Sequence, residues 1–391
     1  MGGDPREASG DARTIVRAII AARESWVTVG LGSRRVISWR LSNVVESPIR
    51  VGLVGYGYAG RSMHAYLLSR VTDLKLVAVA SRSPERRSQA EREYDVATYP
   101  TLDDLLERSQ VDLVVVATPH DTHRALACQA MVAGKHVVVD KVMCLNGEEA
   151  DAMIEASRRN QVLLSIFHNR RWDWDYLTVK KVLDEALLGT PYLFEMALLS
   201  YRAPRGWRGD ASASGGILFD WGAHFIDQAL QLVPGPVTSV TCDIQHRGWG
   251  TDIGSYGRLL LRFESGVLYS IEIGNLSRQP KPHWLVLGER GSLIKTGIDP
   301  QEAALRQGHI EAATEDPANR ARIITEVNGL SAELVVESVK SDWTNYYRNV
   351  AEAVLGRSSL AVKPEEVRRA IGVYDAAMRS ASTGATIPVR I

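Results

Sequence analysis

Cysteine is scarce. Cys128, Cys144 and Cys242 are the whole complement of 391 residues, and no two stand in a C-x-x-C pair. That rules out a disulfide framework and a thiolate zinc site as organising principles. The thiols read as reduced, in a cytoplasmic protein, and no metal is expected. Charge of one sign is lacking too, since 46 Lys plus Arg balance 46 Asp plus Glu. Neither nucleic acid nor a membrane surface is therefore an expected partner, although a neutral total says nothing about a local basic pocket. No apolar run reaches the roughly 18 residues of a membrane-spanning helix. Internal repeats and low-complexity tracts are missing as well. What is present is 45% hydrophobic and 24% charged residues, enough for a substantial core in a chain of about two domains.

The first 48 residues stand apart. They hold Arg6, Arg13, Arg17, Arg23, Arg34, Arg35 and Arg40. The pair Arg34-Arg35 hints at a twin-arginine signal, but no apolar stretch follows it before Ile49. An accessory helix around Thr14 to Arg23 is a second reading. The reading adopted is a poorly ordered extension over 1–48, with the functional part beginning near Pro48.

From Ile49 a rhythm sets in. Short valine-rich runs at Ile49 to Val54, Leu74 to Ala80, Val111 to Ala117, His136 to Val139 and Val162 to Phe167 read as buried parallel strands. Helical segments lie between them at Arg61 to Arg70, Pro84 to Glu93, Thr122 to Ala133 and Gly147 to Asn160, with Gly134 suited to follow a helix end. Alternating strand and helix over 49–168 imply an α/β doubly wound sheet of Rossmann type. After Phe167 the pattern changes. Helices are expected at Asp175 to Leu187 and Phe219 to Leu232. Antiparallel hairpins are expected from Tyr256 to Ile273 and from Trp284 to Lys295, and closing helices at Asp342 to Leu355 and Pro364 to Ser382. Glu311 to Arg320 reads as a loop. Residues 169–391 are thus an α+β domain with a mostly antiparallel open sheet, expected to bind substrate and to mediate oligomerisation.

Four segments carry chemistry. Gly55-Tyr56-Gly57-Tyr58-Ala59-Gly60 follows the first strand and opens the first helix, the context that a dinucleotide-binding G-x-G-x-x-G requires. Gly55 permits the turn, Gly57 lets the backbone approach a pyrophosphate, and Gly60 packs helix on strand. At the end of the second strand, about 20 residues on, an acidic residue would hold ribose hydroxyls. Ser81-Arg82 stand there instead and favour a 2′-phosphate, hence NADP(H) over NAD(H), unless Arg82 is a solvated surface charge. Thr118-Pro119-His120, His123 and Asp140-Lys141 fall at the carboxyl ends of later parallel strands, where ligands bind in such sheets. Finally, Asp220 and His224 form an i,i+4 pair on an expected helix, with Asp227 three residues on. A carboxylate beside an imidazole orients it and raises its pKa. Each histidine taken singly is as readily a loop or core residue.

Taken together, GYGYAG at 55–60, ATPHDTH at 117–123, AGKHVVVDK at 133–141 and GGILFDWGAHFIDQ at 215–228 resemble the glucose-fructose oxidoreductase, inositol 2-dehydrogenase and MocA family, Gfo/Idh/MocA. The resemblance runs from Ile49 to Val389, and FHNRRWD at 167–173 is similar to a bacterial branch of it. It implies a Rossmann domain plus an α+β domain whose open sheet forms a homodimer or homotetramer interface. It also implies roles: Lys141 on nicotinamide ribose and substrate, Asp220 on the substrate hydroxyl, His224 as general acid/base, and Arg170 or Arg171 near cofactor or substrate. One departure stands out. The family's Glu-Lys-Pro is Asp140-Lys141-Val142 here. A cis bond before valine costs about 2.5–4 kcal/mol, so a trans bond and a displaced Lys141 are expected.

The function implied is hydride transfer between NADP(H), or NAD(H), and a secondary alcohol or ketone of a sugar, inositol or related polyol. Arg170, Arg171, Trp172, Trp207 and Arg208 are candidate pocket residues, although tryptophans pack cores equally well. The alternatives are a glycoside-cleaving hydrolase that uses a tightly held cofactor for transient oxidation, and a non-catalytic NADP(H)-binding sensor.

Overall fold

The structure, a computed structural model, describes residues 45–391. The expectations for the N-terminal arginine-rich segment therefore lie outside the described residues, except for its last four positions.

Six short strands form the first sheet: β1 (Ile49–Val54), β2 (Leu74–Ala80), β3 (Ala97–Tyr99), β4 (Leu113–Val116), β5 (His136–Val139) and β6 (Leu164–Ile166). Their order is β3-β2-β1-β4-β5-β6, and every pairing is parallel. Helices cover both faces of such a sheet, which is why the strands are nearly uninterrupted apolar runs. Val51, Leu53, Val114, Val115 and Val138 are all wholly buried. The strand order reverses between β1 and β4, so a crevice opens beyond their carboxyl ends. The connecting helices are capped by their own sequence. Ser83 Oγ accepts the Arg86 N–H at the start of Pro84–Tyr94, and Asn146 Oδ1 accepts the Glu149 N–H at the start of Gly147–Asn160. The helix Gly147–Asn160 has the expected bounds, and Gly134 follows the helix His123–Val132 at φ 74°.

The second sheet has nine strands: β7 (Pro191–Leu199), β8 (Val237–Gln245), β9 (Tyr256–Phe263), β10 (Leu268–Gly274), β11 (Trp284–Gly288), β12 (Gly291–Lys295), β13 (Ala321–Val327), β14 (Leu330–Val336) and β15 (Ile387–Pro388). They run in the order β14-β13-β12-β11-β7-β10-β9-β8-β15. Only β7 and β10 pair in parallel, so the sheet is mixed and mostly antiparallel, as expected. Both expected hairpins are present, β9 with β10 and β11 with β12. One face carries Phe194, Tyr269 and Ile271 into the core, beneath the helix Leu218–Leu232. The other leaves Ile294, Ile324 and Val335 exposed. The helix Pro364–Thr383 lies on β8 and also touches β6 and the helix Gly147–Asn160, tying the two sheets together. The segment 311–320 contains two short 3-10 turns, Ile310–Ala312 and Pro317–Asn319, between longer loop stretches.

A candidate dinucleotide cradle and a lysine–aspartate–histidine cluster

The glycine turn leaves β1 with Gly55 at φ 95°. A Cβ there would lie 2.3 Å from the Ala117 carbonyl oxygen, and one at Gly60 would lie 2.0 Å from the Gly55 carbonyl oxygen. Both positions are closed to a side chain, because β4 and the next helical turn pass directly against them. Gly57 differs, for a Cβ there meets nothing nearer than Arg86 Nη1 at 3.7 Å. The turn therefore leaves a hollow over Gly57, in front of the helix that begins at Ala59. Its free N–H groups and positive end suit a pyrophosphate, so the residues present fit a dinucleotide. The two tyrosines of the turn point elsewhere. Tyr56 is buried and donates to Glu93 Oε2 at 2.7 Å, while Tyr58 accepts from Arg306 Nε at 2.7 Å. Their side chains brace the turn rather than line it.

At the end of β2, Ser81 is buried and Arg82 exposed. No acidic residue stands at 81–83, and the first carboxylate beyond β2, that of Glu85, accepts from Ser83 Oγ at 2.6 Å. Arg87 Nη1 donates to the Ser81 carbonyl at 2.7 Å and fixes this corner. Arg86, which the sequence reading missed, brings its guanidinium to the glycine hollow. Only its place in the first turn of the helix Pro84–Tyr94 signals this.

Beyond β4 and β5 the remaining candidates converge. Thr118 Oγ1 and Thr122 Oγ1 are 2.6 Å apart around Pro119. Both ring nitrogens of His123 lie on backbone carbonyls, Nδ1 2.7 Å from Val142 and Nε2 3.0 Å from Thr118, so this ring pins the β4 loop to the segment after β5. His120 Nδ1 is 2.8 Å from the Ser214 carbonyl, and Trp207 stands edge-on to its ring at 4.7 Å. Lys141 reaches across to the helix Leu218–Leu232. Its Nζ donates to Asp220 Oδ1 at 2.7 Å and to the Asp220 carbonyl at 2.8 Å. The Lys141–Val142 bond is cis, which corrects the trans expectation. Tertiary contacts on both sides outweigh the local preference here: Lys141 is held by Asp220, while Val142 is buried with its carbonyl on His123. Asp140 Oδ1 accepts the Lys141 N–H at 2.8 Å and lies 3.5 Å from Nε2 of the buried His64. Burial opposes its charge, but His64 and Lys141 hold the carboxyl below the usual range.

The expected Asp220–His224 partnership is corrected. Their helix, Leu218–Leu232, does place both one turn apart, but the Asp220 carboxylate turns to the Lys141 ammonium, the stronger partner. Burial pushes that carboxyl up, Lys141 and Arg208 outweigh burial, and it is held at about 2. His224 Nδ1 is sealed from solvent without a partner. Burial, then Lys141, Arg170 and His168, lower its pKa well below the ordinary imidazole value, the reverse of the expected rise. Asp227 does not serve His224 either. It forms a two-bond ion pair with Arg171, at 2.8 and 2.7 Å, and lies 3.8 Å from His168 Nδ1.

The arginine pair expected near the ligands is spent on internal carboxylates. Arg170 binds Asp173 at 3.0 Å and Glu302 at 2.6 Å, and Arg171 binds Asp227 and Glu366. Towards the cluster, Arg170 stacks on Trp221, whose ring centroid lies 4.3 Å from its Cζ, and its charge acts on His224. Trp172 packs on Tyr346 at 6.1 Å. His64 and His168 also border the cluster and escaped the sequence reading, because nothing local marks them.

A doubly wound sheet with an open cradle at its switch point, and a lysine after β5 paired with the aspartate of an Asp-His helix beside the second sheet, is the arrangement of an oxidoreductase that works with a nicotinamide dinucleotide. Comparison with known proteins agrees. Residues 49–168 match the model described as oxidoreductase family, NAD-binding Rossmann fold, and residues 176–294 match the GFO/IDH/MocA C-terminal domain. The chain belongs to the Gfo/Idh/MocA oxidoreductase family. It is 31% identical to the scyllo-inositol 2-dehydrogenase (NADP(+)) IolW of Bacillus subtilis, over 87% of this chain and 95% of that protein. It is 34% identical to the uncharacterized oxidoreductase YdgJ of Escherichia coli, over 87% and 98%. Among solved structures, yvaA from Bacillus subtilis superposes with a TM-score of 0.82 at 30% identity, covering 89% of this chain and 99% of that one. No described helix is long and apolar enough to cross a membrane.

Proposed function

We propose that the protein transfers a hydride between NADP(H) and a secondary alcohol or ketone of a sugar, inositol or related polyol. The observation that carries this reading is the Lys141 Nζ–Asp220 Oδ1 contact of 2.7 Å at the carboxyl edge of β5, with His224 one helical turn beyond Asp220. The nicotinamide, when bound, supplies the hydride chemistry; the chain supplies orientation and electrostatics. Lys141 donates to the reacting oxygen and stabilises negative charge developing on it. Asp220 holds that ammonium in place through its carboxylate and its carbonyl. His224, neutral because burial and nearby cations disfavour its cation, accepts the hydroxyl proton during oxidation and returns it during reduction. Asp140, braced by His64, holds the Lys141 backbone through its N–H.

The cradle supports NADP(H). Thr118, Pro119 and the glycine turn form its floor, Ser81 and Arg82 close the β2 end, and Arg86 adds a second cation where an acid would reject a 2′-phosphate. The similarity to an NADP(+)-dependent inositol dehydrogenase supports both the cofactor and the polyol class. The altered Asp140-Lys141-Val142 motif gave the sensor alternative its weight, and the Lys141–Asp220 contact favours the enzyme instead. The exposed apolar residues Ile294, Ile324 and Val335 on the open sheet support a homo-oligomer.

The test is a spectrophotometric screen of sugars, inositols and their keto forms, with NADP(H) and NAD(H) in parallel. The expected outcome is turnover with NADP(H), and a fall of about 100-fold or more in kcat for His224→Ala with cofactor affinity unchanged. Near-normal turnover of that variant would remove His224 from the mechanism.

A further inference from the structure

The chain is neutral overall, yet one stretch that reaches the Lys141–Asp220 pair carries cations alone. The segment from Tyr201 to Gly209 carries Arg202, Arg205 and Arg208 and no acidic residue. Arg202 and Arg205 are exposed. Arg208 is the innermost of the three. Its Cζ lies 4.6 Å from the Trp207 ring centroid, and Trp207 in turn stands against His120. The guanidinium is therefore held by stacking and by one long ion pair, without a hydrogen bond. Its nearest carboxylate oxygen, Asp220 Oδ1, is 3.8 Å from Nε, beyond hydrogen-bond reach, and that oxygen is already engaged by Lys141 at 2.7 Å. Arg208 makes no hydrogen bond among the described residues. Arg170 and Arg171, by contrast, are fully committed to buried carboxylates.

A planar fork with five donors, fixed on an aromatic ring and left unspent beside a reacting centre, matches a carboxylate or a phosphate. A neutral polyol would leave those donors without a charged acceptor. We infer that the substrate is an anionic polyol, carrying a carboxylate or phosphate close to the reacting carbinol, and that Arg208 grips that group. Arg202 and Arg205 add a field that draws the anion in. Asp220, already shared between Lys141 and Arg208, gives up its weak hold on Arg208 to the incoming anion and keeps Lys141. The inference rests on the dehydrogenase reading of the same cluster.

The test uses the full chain saturated with NADP+ and measures both binding by calorimetry and turnover by absorbance. D-glucuronate, D-gluconate, D-glucose 6-phosphate and myo-inositol 1-phosphate are compared with D-glucose and myo-inositol. At least one anion should bind about tenfold or more tightly than its neutral counterpart, as one charge-assisted contact supplies. Whether the acids or the phosphates lead identifies the group. In Arg208→Gln the ratio of anion to neutral affinity should collapse towards one; Arg208→Lys should restore part of it. Neutral polyols binding as tightly as every anion, no binding by any compound, or a ratio unchanged in Arg208→Gln would each overturn the inference. Turnover of neutral polyols without an anion preference would overturn it and leave the dehydrogenase intact. Anion preference without hydride transfer would support the Arg208 grip and overturn the dehydrogenase reading.

Discussion

Two glycines separated by a single residue make opposite predictions. At Gly55 an alanine must adopt φ 95° and place its Cβ 2.3 Å from the Ala117 carbonyl oxygen. The backbone conformation costs about 1–3 kcal/mol. Relieving the overlap costs about 1–3 kcal/mol more, since the oxygen belongs to the chain leaving β4 and cannot rotate away. Gly55→Ala should therefore lower Tm by several degrees and, by parting β1 from β4 at the crevice, weaken NADPH binding at least about tenfold. Gly57→Ala has neither problem, for its methyl meets nothing nearer than Arg86 Nη1 at 3.7 Å. Its stability should stay within about 1 kcal/mol of the parent. The methyl nevertheless occupies the hollow that a pyrophosphate needs, so NADPH affinity should fall by about tenfold or more. Thermal melts of the cofactor-free protein and NADPH fluorescence titrations separate the two effects. Wild-type NADPH affinity in Gly57→Ala would refute the placement of the pyrophosphate. A wild-type Tm in Gly55→Ala would refute the packing argument.

Three further outcomes are expected. Arg82→Ala with Arg86→Ala should raise the KM for NADP+ about tenfold or more while that for NAD+ changes little; equal changes would place the 2′-phosphate elsewhere. Burial lowers the pKa of four histidines at the cluster, His120 to about 3, His168 to about 4, and His123 and His224 below the ordinary value. The unfolded chain then takes up protons near pH 6.5 that the folded chain refuses. Stability should thus be greatest above that pH and fall on acidification towards the folded values, by up to about 1.4 kcal/mol per group per pH unit. Urea midpoints at pH 7.5, 6 and 5 test this, and a flat or rising midpoint on acidification would contradict it. Arg170→Leu strips Asp173 and Glu302 of their buried partner and should cost about 3–5 kcal/mol, read from the same unfolding curves; a loss below about 1 kcal/mol would show that those carboxylates are not held by Arg170.

Parts of the fold were legible because they are local. The strands Ile49–Val54, Leu74–Ala80 and His136–Val139 have the expected bounds, since a parallel strand covered on both faces must be apolar throughout. The β13–β14 hairpin went unread, although Asn328-Gly329 between two alternating runs signals it; both residues have positive φ, as a type I′ turn demands. Strand β7 escaped because its burial pattern follows from neighbours distant in sequence, β10 and β11, and β8 went unread although its partner β9 is the next strand. Among site residues, the glycine turn and Lys141 were found where their segments meet strand ends. Arg86 and His64 were not, for a helical residue's approach to a loop depends on how the helix docks.

The sequence by itself determined the doubly wound domain, the dinucleotide turn and the absence of an acid after β2, because each is written in spacing within about 30 residues; the family followed from the resemblance of motifs spread from 55 to 228. Only the tertiary structure decided the partners. It gave Asp220 to Lys141 instead of His224, Asp227 to Arg171, and Arg170 to Asp173 and Glu302. It also set the Lys141–Val142 bond cis against the local preference, and left Arg208 stacked and unspent. The physical reason is that a charge chooses the nearest opposite charge in space, and in a buried cluster that choice is made by packing, which spacing along the chain does not encode.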